Sequence, residues 1–419
     1  MSANETYISK RLFQRHLDSV GRARLPEWWL DTQRAAWDAH LGLPHPGPTD
    51  ETWRFTDTEA IRLSGFEPFP TADLLGALPA GQLRAPAPVK PPPGVVYCTL
   101  NEAIAKHADL FRAYFRARPA ALGGEKFAEL NAAFAACGAF LYVPDGVELT
   151  TPLFARHVLN GHNIAAFPHT LVILGKNASA TLVEVFDTEY GDRLLASGVS
   201  DLHAASGARL TYIGIQNWGR QATAFHSNAT SVAQDANVTT LNLHLGARYA
   251  RHESHTRLDA PGGRAEILAL THADANRRLD QRTLQTHSAP DTYSNLLYKN
   301  ALRDTSKTVF SGLINVEPDA QRTDAYQSNR NLLLSPDAEA NSLPGLEIQA
   351  NDVRCTHGAT TGGIDPEQAY YMAARGIPPE TANALLVEGF FEEVLGKIPE
   401  RPRAPVEATL RAALARGGR

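Results

Sequence analysis

Cys355 and His357 stand one residue apart in "QANDVRCTHGATTGG", in a 419-residue chain that holds only three cysteines. On an extended strand, residues i and i+2 project to the same face, so thiol and imidazole can converge on one ion or one sulfur species. Thiolate and imidazole suit soft or borderline metals such as iron, copper and zinc. Two ligands do not close a tetrahedral site. The others must come from far away in the chain or from another subunit. Familiar devices for other chemistries are missing: there is no G-x-x-x-x-G-K-[ST] loop, no G-x-G-x-x-G and no C-x-x-C. "RHESHT" falls one residue short of H-E-x-x-H, and on a strand His252 and His255 would point oppositely. With His203, His226, His244, His272 and His287, they read as satisfied polar residues on the surface of the fold.

The elements that would position this pair lie in a chain of ordinary globular composition, 43% hydrophobic and 20% charged. It is too long for one compact core, so two or three domains are expected. A net charge of −5 gives no electrostatic case for nucleic acid or an anionic membrane. Cys98, Cys137 and Cys355 are too few for a disulfide framework and fit a reducing compartment. The stretch "MSANETYISKRLFQRHLDSV" is charged throughout and lacks the apolar core of a signal peptide. A cytoplasmic protein is expected.

Three regions follow from periodicity. Residues 1–136 read as helical, interrupted at 84–96 by the proline-rich "RAPAPVKPPPGVV", which cannot be helix or central strand. Residues 137–364 lose helical spacing and gain valine, threonine, asparagine and glycine. Within them Ala180, Ala208, Ala236 and Ala265 align at spacings of 28, 28 and 29. Each is followed after two residues by Leu182, Leu210, Val238 or Ile267, and after five by Val185, Ile213, Leu241 or Leu270. The alanine and its first partner share an inward face, and the third position breaks parity, as a corner or bulge would explain. Four copies of one unit predict stacked coils, a parallel β-helix (a right-handed solenoid). A β-sandwich is the alternative, although its turns usually fall every 8–12 residues. Residues 365–419 return to helix. Asp365-Pro366-Glu367 makes a capped start, and "IPERPRAPVE" is expected to break the helical run before a short tail helix. The fold class is therefore mainly β, a parallel β-helix core flanked by N- and C-terminal α-helical regions.

The segment 311–395, with its Q-x-N-x-x-L-L-L-S, P-x-L-E-I-x-A-x-D-V, C-x-H-G-A-T, R-G-I-P and G-F-x-E-E-V runs, resembles the C-terminal half of the SufB/SufD family of iron–sulfur cluster assembly proteins. "DETWRFTD" looks like the family's opening motif. Gly358 stands where the SufB branch carries glutamate, so the pattern is closer to the SufD branch. The resemblance implies a scaffold, not an enzyme. Such a scaffold pairs with SufB through the β-helix ends, and residues 365–419 dock the ATPase SufC. It implies a transient iron–sulfur cluster at the SufB–SufD interface, with His357 and Cys355 as metal ligands facing a SufB cysteine. No tightly held cofactor is expected in the isolated chain, which could form a homodimer through the same end. Leu386, Phe390 and Phe391 are the expected SufC anchors, against the alternative that they simply pack their helix onto the core. The rival readings are a carbohydrate-active β-helix enzyme and a purely structural partner without a ligand role.

Overall fold

From residue 139 onward, runs rich in valine, leucine and threonine alternate with tight polar turns, and each run becomes a strand. A computed structural model describes residues 8–22, 25–56, 58, 61, 63–69, 72–75, 92–119 and 121–416. Its sixteen long strands are β1 (Ala139–Val143), β2 (Leu153–Val158), β3 (His169–Leu174), β4 (Ser179–Asp187), β5 (Leu195–Ala204), β6 (Arg209–Asn217), β7 (Thr223–Val232) and β8 (Asn237–His244). They continue as β9 (Tyr249–Leu258), β10 (Arg264–Ala273), β11 (Arg278–His287), β12 (Tyr293–Leu302), β13 (Lys307–Val316), β14 (Asp324–Leu333), β15 (Glu339–Ile348) and β16 (Arg354–Gly363). Odd-numbered strands pair in parallel to form one sheet and even-numbered strands the other. Each coil contributes one strand to each sheet, and eight coils stack into a parallel β-solenoid. The corner before each even strand from β4 to β14 recurs with a residue in the left-handed region: Asn177, Gly207, Asp235, Gly262, Asp291 and Arg322. Asparagine, aspartate and glycine tolerate that conformation best, which is why they punctuate the repeat.

The register corrects the sequence alignment. Along the even sheet Ala180 lies opposite Leu210, Leu210 opposite Val238, Val238 opposite Ala265, Ala265 opposite Ser294, Ser294 opposite Ala325, and Ala325 opposite Cys355. Ala208 and Ala236 sit two residues earlier, buried at the corner. The third apolar position is also reassigned. Val185, Ile213, Leu241 and Leu270 lie on regular strands and face outward, into a core shared with the C-terminal helices. Parity breaks because both faces of this sheet are covered, without any bulge.

Among the described residues, five helices precede the long strands, α1 (Lys10–Arg22), α2 (Glu27–Gly42), α3 (Leu100–Lys106), α4 (Ala108–Tyr114) and α5 (Glu125–Phe134), and three follow them, α6 (Pro366–Ala374), α7 (Pro379–Leu395) and α8 (Glu400–Arg416). The break expected at "IPERPRAPVE" is confined to residues 396–399. Pro402 falls in the first turn of α8, where the missing N–H costs nothing, and the helix accommodates Pro405 one turn further in. Of the proline-rich segment 84–96, residues 84–91 lie outside the described residues. Helices Lys10–Arg22, Glu27–Gly42 and Glu125–Phe134 cover the outer face of the odd sheet, where the Phe127 and Phe225 rings stack at 3.7 Å. "ETWRFT", residues 51–56, is the clamp of this contact. The Arg251 guanidinium lies 3.7 Å over the Trp53 ring. It donates to Asp280 at 2.6 Å, to Glu253 at 2.7 Å and to the carbonyls of Thr52 and Leu122.

The solenoid interior is unusually polar, and this overturns the surface assignment of the histidines. His226, His244, His252 and His287 point inward, among Glu184, Tyr212, Ser200, Asn242 and Ser294. His255 points outward on the same strand as His252 and bonds to Thr286 at 3.0 Å. Their buried surroundings hold the four lumen imidazoles neutral: burial lowers His226 and His287 to about 4, His244 to about 3, and His252 well below its ordinary range.

Candidate functional site at the open end

The two ends of the solenoid differ. At one end β1 and β2 are each closed by an antiparallel strand, Val96–Thr99 and Ala72–Leu75. At the other end, among the described residues, β15 and β16 each pair on one side only, leaving a row of unpaired backbone groups. The side chains of β16 are almost all exposed. Its run of threonine, glycine and alanine has no further coil to pack against.

Cys355 and His357 sit on this terminal strand and share one face, as their spacing predicts; the register turns that face inward. Cys355 lies opposite Ala325 and His357 opposite Gln327, both buried. Cys355 is half-buried against Ile314, Val316, Ala320, Ala325 and Ala350. His357 is exposed at the rim. Burial pushes the Cys355 thiol up and the carboxylate of Asp324 adds to this, while a hydrogen bond from the Ala325 backbone opposes it. The resting thiol is thus protonated near neutrality, and a metal must displace that proton to bind sulfur.

Beneath the pair lies a polar floor that sequence reasoning missed. Gln327 donates to the Gly312 carbonyl at 3.2 Å, and its own Oε1 is buried without a partner. Asn331 donates to Asn329 Oδ1 at 3.0 Å and to Thr361 Oγ1 at 3.2 Å, and Ser342 donates to Asn329 Oδ1 at 2.7 Å. The alternation in "YQSNRNLL" was the available signal: its polar residues at every second position all face inward. Among the described residues no group of three or more histidine, cysteine or acidic side chains is arranged to hold a metal ion. A site built on Cys355 and His357 therefore needs ligands from outside this set.

The expected SufC anchors fall elsewhere than on an open surface. Phe391 is fully buried with Val387 and Val394 against Leu268, Leu270 and Leu297 of the even sheet. Phe390 is half-buried under Lys299, whose Nζ lies 4.8 Å from the ring and donates to the Phe390 carbonyl at 2.8 Å. Leu386 is half-buried. The aromatics of α7 thus fasten the helix to the solenoid. Exposed apolar surface lies one turn away and on α6, which has no buried residue: Tyr370 is 77% exposed, Tyr371 60% and Leu385 45%.

No helix among the described residues is long and apolar enough to cross a membrane. Residues 157–390 match the family model described as SUF system FeS cluster assembly, SufBD core domain, and residues 84–154 match the SufBD protein N-terminal region. The chain is 32% identical over 281 residues to the iron–sulfur cluster assembly protein SufD of Escherichia coli K12, covering 66% of each. It is 33% identical over 252 residues to a SufBD family protein of Mycobacterium leprae, covering 58% of this chain and 61% of that one. A Synechocystis SufBD family protein is 31% identical over 289 residues, covering 66% and 63%. The matched segment spans slightly less than two thirds of these relatives' own length. With the core-domain match running through the solenoid and into α7, this chain belongs to the SufBD family of the SUF iron–sulfur cluster assembly system.

Proposed function

We propose that this chain is a SufD-type scaffold subunit that pairs with a SufB-type partner through the open end and there supplies ligands to a nascent iron–sulfur cluster. The observation that carries this reading is the placement of Cys355 and His357 together on the inward side of an uncovered terminal strand, with only two ligands between them. A partner strand added to this edge would satisfy the free backbone groups and bring further ligands to the same rim. His357 would bind metal as its neutral imidazole. The chain itself makes and breaks no substrate bonds in this scheme.

The surface of α6 and the exposed start of α7 is the proposed dock for the SufC ATPase, with Tyr370, Tyr371 and Leu385 at its centre. ATP-driven closure of two such ATPases would move the helical regions and bias a two-state interface at the open end. Family membership supports an assembly role over a carbohydrate-active one. The test is anaerobic isolation of the complex with SufB- and SufC-type partners, using the native chain and His357→Ala. Iron and acid-labile sulfide are expected to fall by more than half in the variant while the complex stays intact. Unchanged content would remove His357 from the site, and failure of the complex to form at all would remove the pairing.

A further inference from the structure

The solenoid lumen holds a second feature, well away from Cys355 and His357. Between the sheets at β6–β9 lies a small cavity of about 20 Å³, with Tyr212, Gly214, Asn242, His244 and His252 in its lining. Both ring nitrogens of His252 are buried without a hydrogen-bond partner, as are Nε2 of His244 and Nδ2 of Asn242. The His244 and His252 rings stand 4.8 Å apart, and His226 lies parallel to His252 at 5.7 Å. The room is kept open by glycine: a Cβ on Gly214 would meet Asn242 Oδ1 at 3.0 Å and Tyr212 Oη at 3.3 Å.

A neutral imidazole must satisfy one donor and one acceptor, and leaving both unmet in a buried site costs several kcal/mol. Something must therefore occupy the space. A metal ion fits poorly. No carboxylate is among the groups that influence His244 or His252, so a buried cation would lack charge compensation, and no three ligands converge there. An apolar occupant would leave the nitrogens unpaired. The volume exceeds the ~10–15 Å³ that one water requires, and the lining offers the two to four polar partners that hold it.

We infer that this cavity is a hydration site, occupied by a water bound between His244, His252 and Asn242 as a structural part of the lumen. The site joins a chain already made by protein groups. His157 Nε2 lies 2.7 Å from Glu184, Tyr212 donates to Glu184 at 2.6 Å, and Ser200 lies 3.0 Å from both Tyr212 Oη and His226 Nε2.

The inference is independent of the cluster-assembly reading and is tested on the full chain. A crystal structure at a resolution that orders solvent is expected to show a density peak within hydrogen-bonding distance of His244 and His252. Xenon pressurisation of the same crystals is expected to leave the cavity unlabelled, because xenon enters dry apolar cavities. Gly214→Ala is expected to remove the peak. A xenon atom in the cavity, a transition-metal anomalous signal there, or an empty cavity would each overturn the assignment. If Gly214→Ala does not fold, the solvent and xenon data on the native chain decide the question alone.

Discussion

Lowering the pH from 6.5 to 5.5 is expected to destabilise the solenoid by about 3–4 kcal/mol, through the four lumen histidines alone. Burial lowers His226 and His287 to about 4 and His244 to about 3, and holds His252 well below the ordinary 6.5. A histidine held neutral in this way contributes its full stability above pH 6.5. That contribution is lost as pH falls toward the folded value, because the unfolded chain binds the proton and the native one does not. One pKa unit corresponds to about 1.4 kcal/mol, so each ring loses roughly 1 kcal/mol between pH 6.5 and 5.5. Glu253, raised by burial, works in the opposite sense and offsets about one histidine's share at most. Glu184 is lowered, and its loss belongs to more acidic solution, below the ordinary carboxylate range. The assay is urea unfolding followed by tryptophan fluorescence at pH 8.5, 7.5, 6.5 and 5.5. Apparent stability should be nearly flat down to pH 7.5 and then fall steeply. In His244→Gln the drop from 6.5 to 5.5 should shrink by about 1 kcal/mol. A native chain whose stability is unchanged down to pH 5.5 would refute the claim that these rings are sealed and neutral.

Arg251→Ala leaves Glu253 buried without its arginine, leaves Asp280 with only Arg282 of its two arginines, and removes the stack on Trp53, so a loss of about 3–5 kcal/mol is expected in the same unfolding assay. Lys299→Ala removes a buried ammonium bound to Glu393 at 2.6 Å and to the Phe390 carbonyl. About 2 kcal/mol is expected to go, with faster amide hydrogen exchange in α7. Tyr370→Asp with Tyr371→Asp should change stability by less than about 0.5 kcal/mol, since both side chains are exposed, yet abolish copurification of the ATPase. Cys355→Ser should leave the fold intact and lower the iron retained by the assembled complex. Iron content equal to the native complex would make the thiol a bystander.

The coiled architecture was legible because the solenoid repeats one local problem. Each coil needs a turn residue that tolerates the left-handed region and inward side chains that fit above their equivalents. The exact register was not legible: coil lengths vary, so Ala208 aligned with Ala180 in sequence while Leu210 pairs with it in space. Nor was the outward apolar row, because periodicity reports that a residue is apolar without saying which body covers it. The same ambiguity misplaced Phe391, whose helical spacing suits a docking surface and a core equally well.

From the sequence alone came the strand parity that sets Cys355 and His357 on one face, the parallel β-helix with helical flanks, and the resemblance to the SufB/SufD family. Those depend on spacing along the chain, which local backbone geometry translates directly into direction. Tertiary structure decided that their strand is the last of eight coils and, among the described residues, lies uncovered, and that His226, His244 and His252 meet in a buried polar lumen. Burial and edge exposure depend on which strands stack and where stacking stops, and no local pattern of residues encodes that.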